Sequence, residues 1–516
     1  MLSLHSVIAV VTVALVLSAI RALRCPLSKI PGPWYSRFTR LVLKYHILAG
    51  REMYYIHSLH QRYGPVVRIT PQDVAVADLD GFAQIHRVGS AFLKGPWYDS
   101  VKPSIFRERD PKKHSERRRL FARAFSKTAL RANWEPAVRQ TVEKAVGRIK
   151  AEAMQQQQRQ QQNNDKPTGR KKGSDDADGG GGKADILRWW TFMATDVIAH
   201  LSFGESFNMV GLGRTTPYIH AIQSSLLSTG LRWELPWLHA VARQLPIQAV
   251  QEVVNCEPIL AEGSSKAVRN LRGSGGAQNL FSQMVAKSKD PEAEKEEVEA
   301  QTQHLSDLSV RLEASNLIVA GSDTTASTMT YLVWAVLKRP QLQRRLEKEV
   351  AGVPAEFSEV DLETLPLLNN VIDETLRLYG AAPGALQRYV PEGGATMAGH
   401  FLPAGTVVCT QAYTLHRDAT VFEEPDIFDE DRFSRPQSPE QKLAFTPFGM
   451  GSRVCLGIHL ARMELRLATA LFFRECRGAK LSADTTDAVM EMSHHFLVAP
   501  KGHFCNITLP SAPAGP

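Results

Sequence analysis

Ten residues near the carboxyl end of the chain, "FGMGSRVCLG" at Phe448–Gly457, decide the fold. Cys455 follows two glycines and Arg453, and it precedes a stretch whose apolar residues recur at helical spacing: Leu460, Met463, Leu467 and Leu471. The glycines allow a tight turn and a close approach to a flat partner. The free amides at the start of a helix favour a thiolate there. The stretch therefore predicts a cysteine held as a thiolate at a helix N-terminus.

A lone thiolate restricts the metal chemistry. No CxxC pair occurs, and the remaining cysteines lie far apart, at Cys25, Cys256, Cys409, Cys476 and Cys505. Without a second soft ligand nearby, Cys455 is unsuited to tetrahedral zinc but suited to be the single axial ligand of haem iron. Arg453 can then hydrogen-bond a haem propionate. The alternative reading of a lone cysteine as a small buried hydrophobic residue fits Cys256, Cys409, Cys476 and Cys505, whereas the glycines and arginine around Cys455 have no obvious use in a plain core.

The loop resembles the haem-binding signature of the cytochrome P450 family, Phe-x-x-Gly-x-Arg-x-Cys-x-Gly, at five positions: Phe448, Gly451, Arg453, Cys455 and Gly457. This resemblance covers nearly the whole chain. It implies a mainly α fold with small β-sheets, haem b as cofactor, Cys455 as the iron ligand, and Phe448, Gly451 and Arg453 as cofactor-binding residues.

A second motif, "AGSDTT" at Ala320–Thr325, lies in the middle of a long predicted helix from about Leu305 to Lys338, which Pro340 ends. It resembles the family's oxygen-activation segment. Gly321 is expected to weaken the helix and open a groove, and Thr324 can turn its hydroxyl from the backbone to dioxygen. Asp323 can relay protons. Asp-Thr-Thr alone is usually incidental, but the resemblance implies that Thr324 and Asp323 are catalytic.

The third motif is structural. "ETLR" places Glu374 and Arg377 on one face of a predicted helix, which by itself is an ordinary surface pair. In the family this pair locks to a later arginine, and Arg432 in "FDEDRF" stands at that position, although the usual preceding proline is absent. The resemblance implies a structural triad behind the haem.

Further propionate contacts are implied by position. In "HSERRRLFARAFS", His114 replaces the family's tryptophan and Arg118 stands at the arginine position. Arg388 occupies the place of another propionate-binding arginine. Arg117 and Arg119 are also compatible with a solvated basic helix face.

Composition limits the remaining possibilities. The 516 residues carry a formal charge of +8, but Lys and Arg are scattered, so a nucleic-acid partner is not expected. "YGPVVRITPQDVAVAD" from Tyr63 predicts two short strands, and Thr406–His416 is β-rich. The Gln-, Asn- and Gly-rich segment of about residues 155–182 predicts a disordered insertion within a monooxygenase domain of residues 35–510.

The amino terminus predicts a membrane anchor over residues 1–28. "SVIAVVTVALVLSAI", Ser6–Ile20, is uncharged and approaches the roughly 20 residues of a transmembrane helix. Positive residues follow it rather than precede it, which favours an uncleaved anchor over a signal peptide and leaves the catalytic domain cytosolic. Residues 29–34, "KIPGPW", then form a proline hinge. The expected location is the endoplasmic reticulum membrane, with one span.

The resemblance implies a haem-thiolate monooxygenase that inserts one oxygen atom of O2 into a hydrophobic small molecule in fungal secondary-metabolite biosynthesis. Electrons would come from NADPH through a separate diflavin reductase, with cytochrome b5 as a further partner. Arg462 and Arg466 could meet the reductase or be ordinary helix charges. "LRWELPWLHAV" from Leu231 fits a bilayer-dipping segment or core equally. Rearrangement, desaturation, or a non-catalytic haem- or lipid-binding role are the alternatives.

Overall fold

The computed structural model describes residues 4–101, 103–164, 182–254, 279–281 and 306–510, together with positions 259, 262, 265 and 269. Helices predominate in these ranges. The α-helices are α1 (Leu4–Arg24), α2 (Leu41–Leu48), α3 (Glu52–Tyr63), α4 (Leu79–His86), α5 (Pro111–Ala124), α6 (Lys127–Asn133), α7 (Glu135–Asn164), α8 (Ile186–Phe203), α9 (Met209–Leu212), α10 (Pro217–Glu234), α11 (Pro236–Ala242), α12 (Gln248–Val254), α13 (Asp307–Leu337), α14 (Pro340–Ala351), α15 (Glu359–Glu363), α16 (Pro366–Tyr379), α17 (Ala412–Leu415), α18 (Pro439–Ala444) and α19 (Ile458–Glu475). Short 3-10 turns cover Pro26–Lys29, Trp34–Arg37, Pro96–Ser100, Arg432–Ser434 and Gly451–Arg453.

Small sheets lie at the edges of this helical body. The strands are β1 (Val66–Arg68), β2 (Asp73–Val76), β3 (Lys183–Asp185), β4 (Ala385–Tyr389), β5 (Ala395–Met397), β6 (His400–Leu402), β7 (Val407–Gln411), β8 (Lys480–Leu481), β9 (Met492–His495), β10 (Leu497–Pro500) and β11 (Asn506–Thr508). The main sheet has the order β1-β2-β7-β4, with β2 and β7 parallel. The two strands predicted from Tyr63 are thus confirmed as β1 and β2, and the β-rich stretch supplies β7.

The long predicted helix is confirmed as α13, which crosses the core. Ser306 caps its start by accepting a hydrogen bond from the amide of Ser309 at 3.1 Å. The helix runs unbroken through Ala320–Thr325, so the groove expected at Gly321 is not seen. A Cβ added at Gly321 would lie 2.8 Å from Cγ1 of Ile198 on α8. The glycine therefore serves to let α8 and α13 pack closely.

The expected transmembrane helix is not supported. Among the described residues, no helix combines the length and apolarity that crossing a membrane requires. The amino-terminal segment does form a helix, α1.

The proline hinge is docked on the main sheet. The amide of Arg68 on β1 donates to the carbonyl of Pro31 at 2.7 Å. A Cβ added at Gly32 would lie 2.5 Å from the carbonyl oxygen of Arg68, so this position has room for glycine alone. Leu27 and Ile30 are buried beside β1 and β2. Residues 29–34 therefore belong to the folded body.

The expected insertion begins differently from its prediction. Helix α7 continues through the glutamine run to Asn164, since glutamine is a good helix former. Residues 165–181 of the segment lie outside the described residues. After it, β3 pairs with β11, which joins the middle of the chain to its carboxyl end.

Candidate active site

The cysteine loop is held by its own backbone. The amide of Cys455 donates to the carbonyl of Phe448 at 2.8 Å, and the amide of Gly449 donates to Thr446 at 3.0 Å. Gly449 and Gly451 both have positive φ angles, 73° and 67°. A Cβ at Gly451 would lie only 1.9 Å from the carbonyl oxygen of His86 at the end of α4. Gly451 thus allows the loop to approach α4.

The sulfur of Cys455 lies just before α19, whose N-cap is Gly457. Burial raises the pKa of Cys455, while the Gly457 amide and the Arg118 charge lower it by less. The Cys455 residue is nevertheless exposed, so it borders open space beside the loop. The helix N-terminus alone does not produce a thiolate here, and metal binding to the sulfur would.

Helix α13 packs against α19, the helix that follows the cysteine loop. The Thr325 hydroxyl donates to Oε2 of Glu464 on α19 at 3.0 Å, and one turn further on Met329 contacts Thr469. The two helices therefore run in the same direction from this contact. Ala320 on α13 and Cys455 in the loop both come before this contact, and both are exposed. We therefore expect their exposed faces to border one gap between α13 and the loop, which would fit a flat group.

The predicted proton-handling residues border the same stretch of α13. Thr324 donates its hydroxyl to the carbonyl of Ala320 at 2.6 Å, so the hydroxyl is engaged with the backbone one turn earlier. Burial raises the pKa of Asp323 from 3.8 to about 6. A carboxyl with this pKa exchanges protons readily near neutral pH, which suits a proton relay.

A cluster of cationic side chains surrounds the cysteine loop; we call it the cation cluster, and its members are Lys94, His114, Arg118, Arg388 and Arg453. Their hydrogen bonds go mainly to backbone carbonyls: Arg118 to Val454 at 2.8 Å, Arg453 to Glu108 and Arg109 at 2.7 and 3.2 Å, and Arg388 to Gln387 at 2.8 Å. Burial first, and then neighbouring cations, lower the pKa of Arg453 to about 10 and that of His114 to about 3. The three predicted arginines and His114 are therefore brought together by α5, β4 and the loop.

Lys94 is the member that the sequence did not predict. Its side chain is only 5% exposed, and its backbone forms an antiparallel bridge with Arg388, which puts both side chains on one face. The Lys94 ammonium lies 4.5 Å from the ring centroid of Tyr98, whose hydroxyl accepts from Arg388 at 3.3 Å. An isolated lysine in a loop gives no local signal of such burial.

The cation cluster fits a ligand with two carboxylates. Among the described residues, no ion pair joins any of its members to a carboxylate, although Glu108 lies near Arg453 and Lys94. Buried charges without counter-charges are unfavourable, so this arrangement is suited to bind an anionic group. A flat molecule carrying two propionates and a metal that binds sulfur satisfies the cluster, the gap and Cys455 together. The residues present therefore fit haem b.

The structural triad is confirmed in full. Arg377 makes two hydrogen bonds to Glu374, at 2.7 and 2.8 Å, and Arg432 lies 3.2 Å from the same carboxylate. Arg377 also donates to the carbonyls of His416 and Ile427, at 2.7 and 3.1 Å. The missing proline before Arg432 is therefore no obstacle to the triad. Its members are buried, and they support the region behind the cysteine loop.

Two residues suggested for a partner surface are already engaged. Arg462 pairs with Asp373 at 2.9 Å, and Arg466 pairs with Glu359 and Glu363 at 2.5 and 3.0 Å. Each of these carboxylates lies far from its arginine in the sequence. The reading of Arg462 and Arg466 as ordinary intramolecular charges is the one that the structure favours.

Comparisons with known proteins agree with this site. A family model described as Cytochrome P450 matches residues 31–507. The chain is 38% identical to the cytochrome P450 monooxygenase cypX of Dothistroma septosporum, over 94% of this chain and 91% of that protein. It is 38% identical to the monooxygenase stcB of Emericella nidulans (94% and 89%), and 31% identical to the methylphloroacetophenone oxidase of Cladonia uncialis (78% and 84%). The crystal structure of the cytochrome P450DA heme domain shares the fold, with a TM-score of 0.72, 18% identity, and coverage of 93% and 98%.

Proposed function

Because the chain belongs to the cytochrome P450 family, and is therefore an oxidoreductase of the monooxygenase type, we propose that Cys455 is the axial ligand of haem b and that the cation cluster holds its propionates. The relatives are fungal monooxygenases, and the reaction is a step in secondary-metabolite biosynthesis. The observation that carries the assignment of residues is the convergence of Lys94, three arginines and His114, all buried or half-buried, on the loop of a lone cysteine.

When bound, haem supplies the activation of dioxygen, of which one atom enters the substrate and the other leaves as water. The protein contributes protons and exclusion of water. Asp323 would take up a proton, and the Thr324 hydroxyl would release the Ala320 carbonyl to pass it to the oxygen side of the site. Arg118, Arg388, Arg453 and Lys94 would neutralise the propionates, while His114 stays neutral. The intact Asp323-Thr324 pair argues against a purely non-catalytic haem- or lipid-binding role.

We propose that the substrate is a flat, hydrophobic, phenolic aromatic molecule. Trp97 and Phe496 stack at 5.0 Å with an interplanar angle of 21°, and Phe106 lies edge-on to both. This aromatic surface adjoins the cation cluster through Tyr98, whose ring is 5.4 Å from that of Phe106. The name of the Cladonia relative, an oxidase of a phenolic ketone, supports this class. Hydroxylation, epoxidation, desaturation and rearrangement are all compatible with such a site.

Electrons are proposed to come from NADPH through a separate diflavin reductase, with cytochrome b5 as a second donor. Four cations on α5 are exposed, and none forms an ion pair within the described part of the chain: Lys112, Lys113, Arg119 and Arg123. They share a helix with Arg118, so an acidic partner bound there would lie close to the haem edge. Lys112→Glu/Lys113→Glu should slow reduction by the reductase but not by dithionite, while Lys348→Glu on α14 should change neither rate.

We also propose attachment to the endoplasmic reticulum membrane, with the catalytic domain on the cytosolic side. Trp34 and Trp237 are 75% and 67% exposed, and each has exposed apolar neighbours: Phe38, Leu41 and Tyr45 near the first, Leu238 and Val241 near the second. Glu234 connects these two patches by pairing with Arg40 at 3.2 Å. Exposed tryptophans on connected apolar patches fit a bilayer interface. Trp237→Ser should reduce flotation with phospholipid vesicles, whereas Val360→Ser, an exposed apolar position on α15, should not.

The decisive experiment for the whole proposal is the spectrum of the dithionite-reduced protein with carbon monoxide. A strongly red-shifted Soret band is expected and requires thiolate ligation. A wild-type protein that takes up haem but lacks this band would refute the assignment of Cys455. A Cys455→Ser protein that retains the band would refute it as well.

A further inference from the structure

One buried histidine connects the triad to the cysteine loop. His416 follows α17 and is 2% exposed. Its Nδ1 lies 2.8 Å from the carbonyl oxygen of Arg377, and its Nε2 lies 2.9 Å from the amide nitrogen of Thr446. The ring also lies 5.6 Å from that of Phe445. Both ring nitrogens are therefore engaged with main-chain atoms of two segments far apart in sequence.

These partners fix the tautomer of His416. The amide of Thr446 can only donate, so Nε2 must accept. Nδ1 then carries the proton and donates to the carbonyl of Arg377, which can only accept. Burial lowers the pKa of His416 to about 3, so the ring stays neutral and keeps this tautomer at neutral pH. A protonated ring would lose the bond from Thr446.

The His416 ring connects Arg377 of the triad with Thr446 at the start of the cysteine loop. On one side, Arg377 returns a bond from its guanidinium to the carbonyl of His416 at 2.7 Å, so the two residues are joined in both directions. On the other side, Thr446 accepts from the amide of Gly449, and Phe448 accepts from the amide of Cys455. Hydrogen bonds of the His416 ring and of the loop backbone, linked by short covalent stretches of the loop, thus run from the buried triad to the cysteine.

We propose that His416 is a positioning residue that fixes the start of the cysteine loop against the triad and so keeps the Cys455 sulfur aligned with the metal. The inference rests on the proposed ligation of haem iron by Cys455. Without the bond from Thr446, a buried amide loses its partner and the loop loses its link to the rigid helix α16. The sulfur then becomes easier to displace or protonate while the rest of the fold stays intact.

Two substitutions separate the two bonds of His416. In His416→Asn the side-chain amide can occupy the place of Nδ1 and donate to Arg377, but it cannot reach Thr446. In His416→Gln the side-chain carbonyl can occupy the place of Nε2 and accept from Thr446. Thr446→Pro removes the donor and leaves His416 bonded to Arg377. His60→Asn is the matched control, because His60 is also buried and bonded to a backbone carbonyl, that of Gly64 at 2.9 Å, but lies on α3.

The measurement is the rate at which the red-shifted carbon monoxide band of the holoprotein is lost in mild urea, with circular dichroism recorded on the same samples. We expect His416→Asn and Thr446→Pro to lose the band about tenfold faster than wild type, which corresponds to about 1.4 kcal/mol, while circular dichroism stays native. His416→Gln and His60→Asn should remain within about twofold of wild type.

Each other outcome decides against the proposal or its premise. Equal rates for His416→Asn and wild type would overturn the positioning role. Loss of band and of helical signal together, in His60→Asn as much as in His416→Asn, would show a general packing effect and overturn it as well. If His416→Asn yields no holoprotein, equal behaviour of Thr446→Pro and wild type overturns the role. A wild-type protein without the band would instead refute the ligation by Cys455.

Discussion

Replacing Lys94 by methionine should change the stability of the apoprotein and its hold on haem in opposite directions. Lys94 is almost fully buried, and burial, followed by the charges of Arg453 and Arg388, lowers its pKa from 10.5 to about 6. In the unfolded chain the same lysine is protonated at neutral pH. Folding the apoprotein therefore removes a proton from it, and this costs free energy.

The magnitude follows from the pKa values. A lowered lysine pKa means that the folded state binds the proton less tightly, so the penalty is complete below about pH 6 and disappears as the pH rises to 10.5. At about pH 7.5 the pH lies about 3 units below the unfolded-state pKa of 10.5. Each unit is worth about 1.36 kcal/mol, so the penalty for folding is about 4 kcal/mol. Lys94→Met, which keeps the side-chain volume, should raise the unfolding free energy of the apoprotein by about that amount and remove its increase with pH.

The Lys94→Met substitution should also weaken the binding of haem by the holoprotein. The loss of one charge-assisted hydrogen bond to a propionate should accelerate haem transfer to an acceptor globin by about tenfold or more. Urea unfolding of the apoprotein at pH 7 and 9 gives the first quantity, and Lys348→Met, at an exposed site on α14, is the control. A Lys94→Met apoprotein no more stable than wild type, or unchanged haem transfer, would contradict the assignment of Lys94 to the cation cluster.

The remaining predictions concern the loop and the oxygen side of the site. Thr324→Ala should leave haem binding intact but divert electrons to hydrogen peroxide, so an unchanged ratio of product to NADPH consumed would argue against proton delivery by Thr324. Burial raises the pKa of Asp323 to about 6, so the contribution of Asp323 to stability should fall by about 3 kcal/mol as the pH rises from about 4 to 6, and urea titrations should show this fall as the difference between wild type and Asp323→Asn. Gly451→Ala should abolish haem incorporation, because its Cβ would overlap the carbonyl of His86; normal incorporation measured by the Soret band would refute that packing argument.

The sequence predicted those features whose chemistry is local. The positions of Cys455 and Arg453 within ten residues, and the pairing of Glu374 with Arg377 on one helical turn, need no knowledge of distant segments. Arg432, the third member of the triad, was predicted from its position in the order of motifs that the family resemblance implies. The folded chain brings these residues together as expected.

Features that depend on tertiary contact were missed or misjudged. Lys94 becomes important through its bridge to Arg388, and His416 through Arg377 and Thr446, which are 39 and 30 residues away, so neither has a local pattern. Gly321 makes room for α8 rather than opening a groove, and Gly451 makes room for α4, a contact that the sequence did not predict. The sequence left open whether Arg466 meets a partner protein, because the carboxylates that pair with it, Glu359 and Glu363, lie on the distant helix α15.

The docking of the proline linker on β1 determines how the enzyme meets its surroundings. A free hinge would let the catalytic body sweep through many orientations around whatever α1 is attached to. Here Gly32 and Pro31 are fastened to Arg68, and Arg40, six residues beyond Trp34, is fastened to the turn between α10 and α11. The orientation of the folded body relative to the linker is therefore set by the contacts of the linker with the main sheet. A longer linker should therefore loosen the contacts of Pro31 and Gly32 with Arg68 and leave the folded body free to turn relative to α1.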